Sequence, residues 1–172
     1  NTAVGYTTFT NVQVADNGWN TGMGYAVGVE LTTGLNNTYL GATAGYYNET
    51  GSNNTYLGKS AGAGVNNNNN SNNTAVGKDA LLAVTTSSNN VVIGTAAGDL
   101  VTSGGNHVLI GVGAGGNFDT ETDNVFIGYS AGAGAITASK CVAIGTSALV
   151  GDATHDGTVA IGYYALTALT SG

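Results

Sequence analysis

A short apolar triplet, bounded by Asn on one side and Gly on the other, punctuates an otherwise polar, glycine-rich chain. It reads Asn37-Thr38-Tyr39-Leu40-Gly41, Asn54-Thr55-Tyr56-Leu57-Gly58 and Asn124-Val125-Phe126-Ile127-Gly128, among ten copies. The closing glycines are Gly5, Gly24, Gly41, Gly58, Gly77, Gly94, Gly111, Gly128, Gly145 and Gly162, at steps of 17 residues except for two of 19. A fixed period in this range marks a repeat architecture, in which each unit buries its apolar surface only by stacking on its neighbours. The β-branched and aromatic content of the triplet predicts a strand in every unit.

With the unit numbered from its Asn, position 4 is aliphatic or Met throughout, and position 2 is Thr in the first five copies and Val in the last five. These two positions share one face of a strand. The uniform aliphatic column, Val4, Leu40, Leu57, Ile93, Ile110, Ile127, Ile144 and Ile161, is expected to form the structural core, so Ile110→Asp or Ile127→Asp should destroy folding or assembly. Position 3 faces the other way, yet it too carries no charge. A strand apolar on both faces is buried on both; one face fills the coil, and a second copy of the chain is the simplest cover for the other.

The glycine at position 5 ends the strand where a side chain would collide or the backbone needs positive φ. Position 8 is Ala in eight of ten copies, which marks a tight corner. Apolar residues at position 12 (Leu31, Val84, Val101, Phe118) and hydroxyls at position 14 predict a second, weaker strand. The column Asn1, Asn20, Asn37, Asn54, Asn73, Asn90, Asn124 predicts a stacked amide ladder at a turn, interrupted by His107, Cys141 and Thr158.

The pattern therefore predicts an all-β fold: a parallel β-solenoid or β-roll of about ten coils of 17–19 residues, with 1–172 a single continuous array. At about 4.8 Å per strand the rod is on the order of 50 Å long. The chain starts and stops inside a repeat, as expected of a fragment of a longer fibre protein. Both 19-residue units place their extra residues in one sector, 10–19 and 63–72, where surface loops serve recognition. Trp19, Tyr46, Tyr47, Asn67, Asn68 and Asn69 form the candidate recognition surface, and Asn68→Asp is expected to be nearly silent. The aromatic residues have two readings, stacking on sugar rings or packing between chains.

Composition narrows the function. Only 8 % of residues are charged, against about 25 % in typical soluble domains, which implies that much surface is covered by partner chains. There is no Arg, three Lys stand against ten acidic residues, and the net charge is −7, so no basic stripe exists for nucleic acid. No apolar run of about 18 residues is present, and membrane insertion is not expected. Asp119, Glu121 and Asp123 alternate and could hold Ca²⁺, although a solvated acidic turn is the ordinary reading of such a run; no other cofactor is expected. Asp152, His155 and Asp156 form another polar cluster, but no nucleophile, base and orienting group can be assembled, and the chain reads as a non-enzyme.

Residues 1–6 (Asn-Thr-Ala-Val-Gly-Tyr), 73–81 (Asn-Thr-Ala-Val-Gly-Lys-Asp-Ala-Leu) and 141–149 (Cys-Val-Ala-Ile-Gly-Thr-Ser-Ala-Leu) resemble the head repeats of trimeric autotransporter adhesins. They resemble more closely the 17-residue repeat regions of phage tail fibres. The resemblance implies a homotrimer of left-handed parallel β-rolls on a virion or cell surface, involved in host attachment through a glycan or protein receptor. Two other classes stand beside it. An ice-binding solenoid is motivated by the Thr and Asn ladders, and a carbohydrate-active solenoid enzyme would need a charged groove that three scattered Lys do not supply.

Overall fold

The computed structural model describes residues 1–13, 18–134, 137–151 and 154–168. Ten strands of three residues each fall on positions 2 to 4 of the ten units: β1 (Thr2–Val4), β2 (Thr21–Met23), β3 (Thr38–Leu40), β4 (Thr55–Leu57), β5 (Thr74–Val76), β6 (Val91–Ile93), β7 (Val108–Ile110), β8 (Val125–Ile127), β9 (Val142–Ile144) and β10 (Val159–Ile161). They form one parallel sheet in strictly sequential order. Equivalent residues pair, as in Leu109 with Phe126 and Val92 with Leu109, so the molecule is a β-solenoid of about nine turns. No helix occurs among the described residues.

The inside of the coil lies on the face opposite to the expected one. Position 3 is the interior: Tyr39, Tyr56, Ala75, Val92, Leu109, Phe126, Ala143 and Ala160 are buried, together with the position 8 alanines from Ala44 to Ala148 and Leu31, Val84, Val101 and Phe118 of position 12. Val4, Leu40, Leu57, Ile93, Ile144 and Ile161 are exposed on the outer face, and Ile110 and Ile127 are half-buried there. The core assignment of these eight residues is thus corrected to an outer column.

Volume explains the choice. Positions 3 and 9 meet inside the coil, and their sizes compensate. Tyr39, Tyr56 and Phe126 are partnered by Gly45, Gly62 and Gly132, whose added Cβ would strike those rings, whereas Ala75 and Ala143 are partnered by Leu81 and Leu149. In coil 2 both positions are glycine, and the Phe9 ring from coil 1 covers Gly22 and Gly28. Close packing tolerates such swaps while the summed volume is kept.

The corners come from left-handed backbone. Position 7 has φ near +55° in Ala26, Thr43, Ser60 and Ala96, and position 9 repeats it in Leu81 and Leu149. At position 5 the glycines are stacked directly on one another: a Cβ on Gly77 (φ +135°) would lie 2.5 Å from the Gly94 carbonyl oxygen. This column excludes every other residue.

The expected second strand does not form among the described residues; that sector shows only one isolated parallel bridge, Asn48 with Asn68. Its position 12 donors turn back on their own coil, as in Asn48 N–H to the Gly45 carbonyl (3.2 Å) and Val101 N–H to that of Gly98 (3.2 Å), while the next residue reaches the following coil, as in Thr32 N–H to the Glu49 carbonyl (2.7 Å) and Glu49 N–H to that of Asn68 (2.8 Å).

The amide ladder is present and buried. Each Oδ1 accepts the backbone N–H of its counterpart in the next coil: from Asn37 to Asn20 at 2.8 Å, from Asn54 to Asn37 at 2.9 Å, from Asn73 to Asn54 at 3.0 Å. Each Nδ2 reaches across its own coil at 2.9 Å, to the carbonyls of Gly34, Gly51, Asn70 and Ser87 for Asn20, Asn37, Asn54 and Asn73. One side chain thereby closes the coil and binds it to the next. A second ladder runs outside it, where Asn36 donates to Asn53, Asn53 to Asn72 and Asn72 to Asn89, all at 3.2 Å. These outer asparagines have φ near +60°, a conformation Asn tolerates better than most residues. The Asn-Asn doublet thus does two jobs, a left-handed corner and a buried rung.

Candidate functional site

Positions 2 and 4 of all ten strands make a ribbon running the length of the rod. It consists only of Thr, Val, Leu, Ile and Met, exposed or half-buried throughout: Val4 and Met23 are 50 % exposed, Leu57 42 % and Val159 58 %. The register places each side chain directly over its equivalent in the next coil. A continuous, uncharged and mostly apolar strip of this kind is uncommon on a monomeric surface. Its composition changes halfway, from a Thr column over β1 to β5 to a Val column over β6 to β10.

The recognition residues from the sequence are brought together in part. Tyr46 and Tyr47 meet edge to face, with ring centroids 4.5 Å apart, and line an open groove of about 300 Å³ with Thr43, Ala63, Gly64 and Leu82. Trp19 is 71 % exposed in an earlier coil and does not line this groove. It holds the left-handed corner (φ +40°) that Asn36 and Asn53 hold later. Residues 14–17 of the same insert lie outside the described residues.

Asn67 and Asn69 are exposed, but Asn68 is fully buried. Its Oδ1 accepts the Asn70 backbone N–H at 3.1 Å and the Asn70 side-chain amide. The Asn70 Oδ1 in turn accepts from the Tyr56 hydroxyl and, at 3.0 Å, from Asn73 Nδ2. The long unit thus turns alternate asparagines inward, and Asn68 belongs to the core, where a charged replacement cannot be silent. Burial holds the Tyr56 and Tyr39 hydroxyls protonated far above the ordinary tyrosine range, which keeps this network neutral.

The candidate Ca²⁺ ligands are turned to local donors. Glu121 Oε2 accepts from Asp119 N–H (2.9 Å) and Thr120 N–H (3.0 Å), Asp119 Oδ1 from the Thr102 hydroxyl, and Asp123 Oδ2 from the Thr122 hydroxyl (2.9 Å). Among the described residues no three His, Cys, Asp or Glu side chains converge. Asp156 accepts from Ser139 N–H at 2.8 Å and His155 contacts the Thr154 hydroxyl at 3.2 Å; Asp152 lies outside the described residues. Cys141 is buried in the ladder column.

Sequence reasoning missed which apolar face turns outward. The signal was available: position 3 varies from Gly to Tyr in step with position 9, as touching residues must, while position 4 shows no such compensation. Comparison with protein-family models, characterised proteins and solved structures returned no match.

Proposed function

We propose that this chain is a structural and adhesive segment of a homotrimeric fibre of left-handed coils, displayed on a virion or cell surface and involved in attachment to a glycan or protein receptor. The observation that carries the reading is the outer ribbon, ten rows deep, apolar and uncharged. Two identical neighbours offering the same ribbon would cover it row by row, which also accounts for a chain with so few charges. At roughly 25 cal/mol per Å² of apolar surface, such a strip is a strong drive to association. The Tyr46–Tyr47 groove lies outside the ribbon and stays available to a ligand. The Thr column offers one hydroxyl per coil and stops after β5, so an ice-binding face is the weaker reading.

The test is the mass of the chain in solution. Sedimentation equilibrium should give about three times 16.9 kDa. The pair Ile110→Asp and Ile127→Asp should reduce this to one chain while the far-UV spectrum of the solenoid persists, because both residues face outward. A wild-type chain that is monomeric at its highest soluble concentration would remove the proposal.

A further inference from the structure

Where six coils carry Asn in the buried ladder, coil 7 carries His107, fully enclosed. Its backbone N–H donates to Asn90 Oδ1 at 2.9 Å, as an asparagine would, and its Nδ1 accepts the Asn124 backbone N–H at 3.3 Å. A nitrogen that accepts a hydrogen bond carries no proton, so the ring is the neutral tautomer with its hydrogen on Nε2. That Nε2 has no hydrogen-bond partner among the described residues, and the ring meets the Phe118 ring edge to face with centroids 4.8 Å apart. An asparagine in this place would accept from the next coil at any pH. Imidazole accepts only while unprotonated.

We propose that His107 is an acid-sensitive rung of the ladder: a proton on Nδ1 replaces the acceptor for Asn124 N–H with a second donor, and the joint between coils 7 and 8 opens. The neighbours on the coil 6 side and across the ring, Asn90 and Phe118, are neutral. Burial lowers the ring from its ordinary 6.5 to about 4, outweighing the Glu121 backbone group and then the Asp123 and Glu121 carboxylates, in the turn leading to coil 8, which are the charged groups that act on it and favour the cation. Because the folded value lies below the unfolded one, the unfolded chain takes up the proton first as the pH falls. The stability this site contributes is present above about pH 6.5 and is lost progressively toward pH 4. Both carboxylates remain in a His107→Asn variant, so a comparison isolates the imidazole.

Thermal unfolding of the 172-residue chain and of His107→Asn should be followed at pH 7 and pH 4. The wild type should lose on the order of 5–10 °C more than the variant over that interval. Equal losses would overturn the proposal. Should His107→Asn fail to fold, the ring protons of the wild type still decide by NMR. The His107 midpoint should fall well below the ordinary histidine value, and a midpoint near 6.5 in folded protein would overturn the acid-sensitive rung.

Discussion

Coils 3 to 5 and coils 6 to 8 share one backbone and fill it differently. In the first stretch Tyr39 and Tyr56 stack with centroids 5.1 Å apart and planes 9° from parallel. Their hydroxyls meet buried amides, Asn48 Nδ2 at 2.5 Å for Tyr39 and Asn70 for Tyr56. In the second, Leu109, Phe118 and Phe126 form an apolar interior in which Phe118 and Phe126 meet at 82°, and the one ring with nitrogens among the described residues there, His107, leaves Nε2 unpartnered. The rungs between coils are nonetheless alike, with Thr55 N–H to the Asn73 carbonyl and Val91 N–H to that of His107 both at 2.8 Å. The cross-section is therefore set by corners and ladders, and the filling is free within a fixed volume.

Three buried substitutions, set against one exposed control, measure that difference by urea unfolding. Phe118→Ala in the apolar stretch should cost most, about 3–5 kcal/mol, because it empties a site walled by His107 and Phe126. Next comes Asn68→Asp, at about 2–4 kcal/mol, which places a charge in the buried amide network, while Asn66→Asp in the same run stays within about 0.5 kcal/mol on the exposed side. Smallest is Tyr56→Phe, at about 1 kcal/mol, since Asn70 Oδ1 keeps Asn73 Nδ2 as a donor when the hydroxyl goes. If Tyr56→Phe cost as much as Phe118→Ala, the polar filling would be essential to its coils and the two interiors would not be interchangeable. If Asn68→Asp and Asn66→Asp cost the same, the inward turn of the long unit would be wrong.

Much of this fold is legible in the repeat. All ten strands fall on positions 2 to 4, the glycine and alanine columns lie at tight corners, and the Asn column is a ladder. The sidedness of the strand is not legible from hydrophobicity, because both faces are apolar. It follows from the size compensation seen in Tyr56 with Gly62 and Leu81 with Ala75. Asn68 was hidden for a different reason. Two extra residues shift the register of its unit, so that it stands beside Asn48, and a run of five asparagines carries no sign of which ones turn inward. Of the recognition residues, Tyr46 and Tyr47 share a groove, whereas Trp19 stands apart.

The ladders have a mechanical consequence. All the bonds between coils run parallel to the long axis, so a pull along the rod loads them one layer at a time, as a zip, with no sliding resistance shared between layers. Each layer that parts releases 17 residues, or 19 in the two long units, about 56–60 Å of extended chain for the 17-residue units, where the intact rod occupied about 4.8 Å. A single chain would pay out under tension in nearly equal steps, like a line from a reel. In a bundle of such rods, the apolar ribbon is the element that sets the force at which the first step slips.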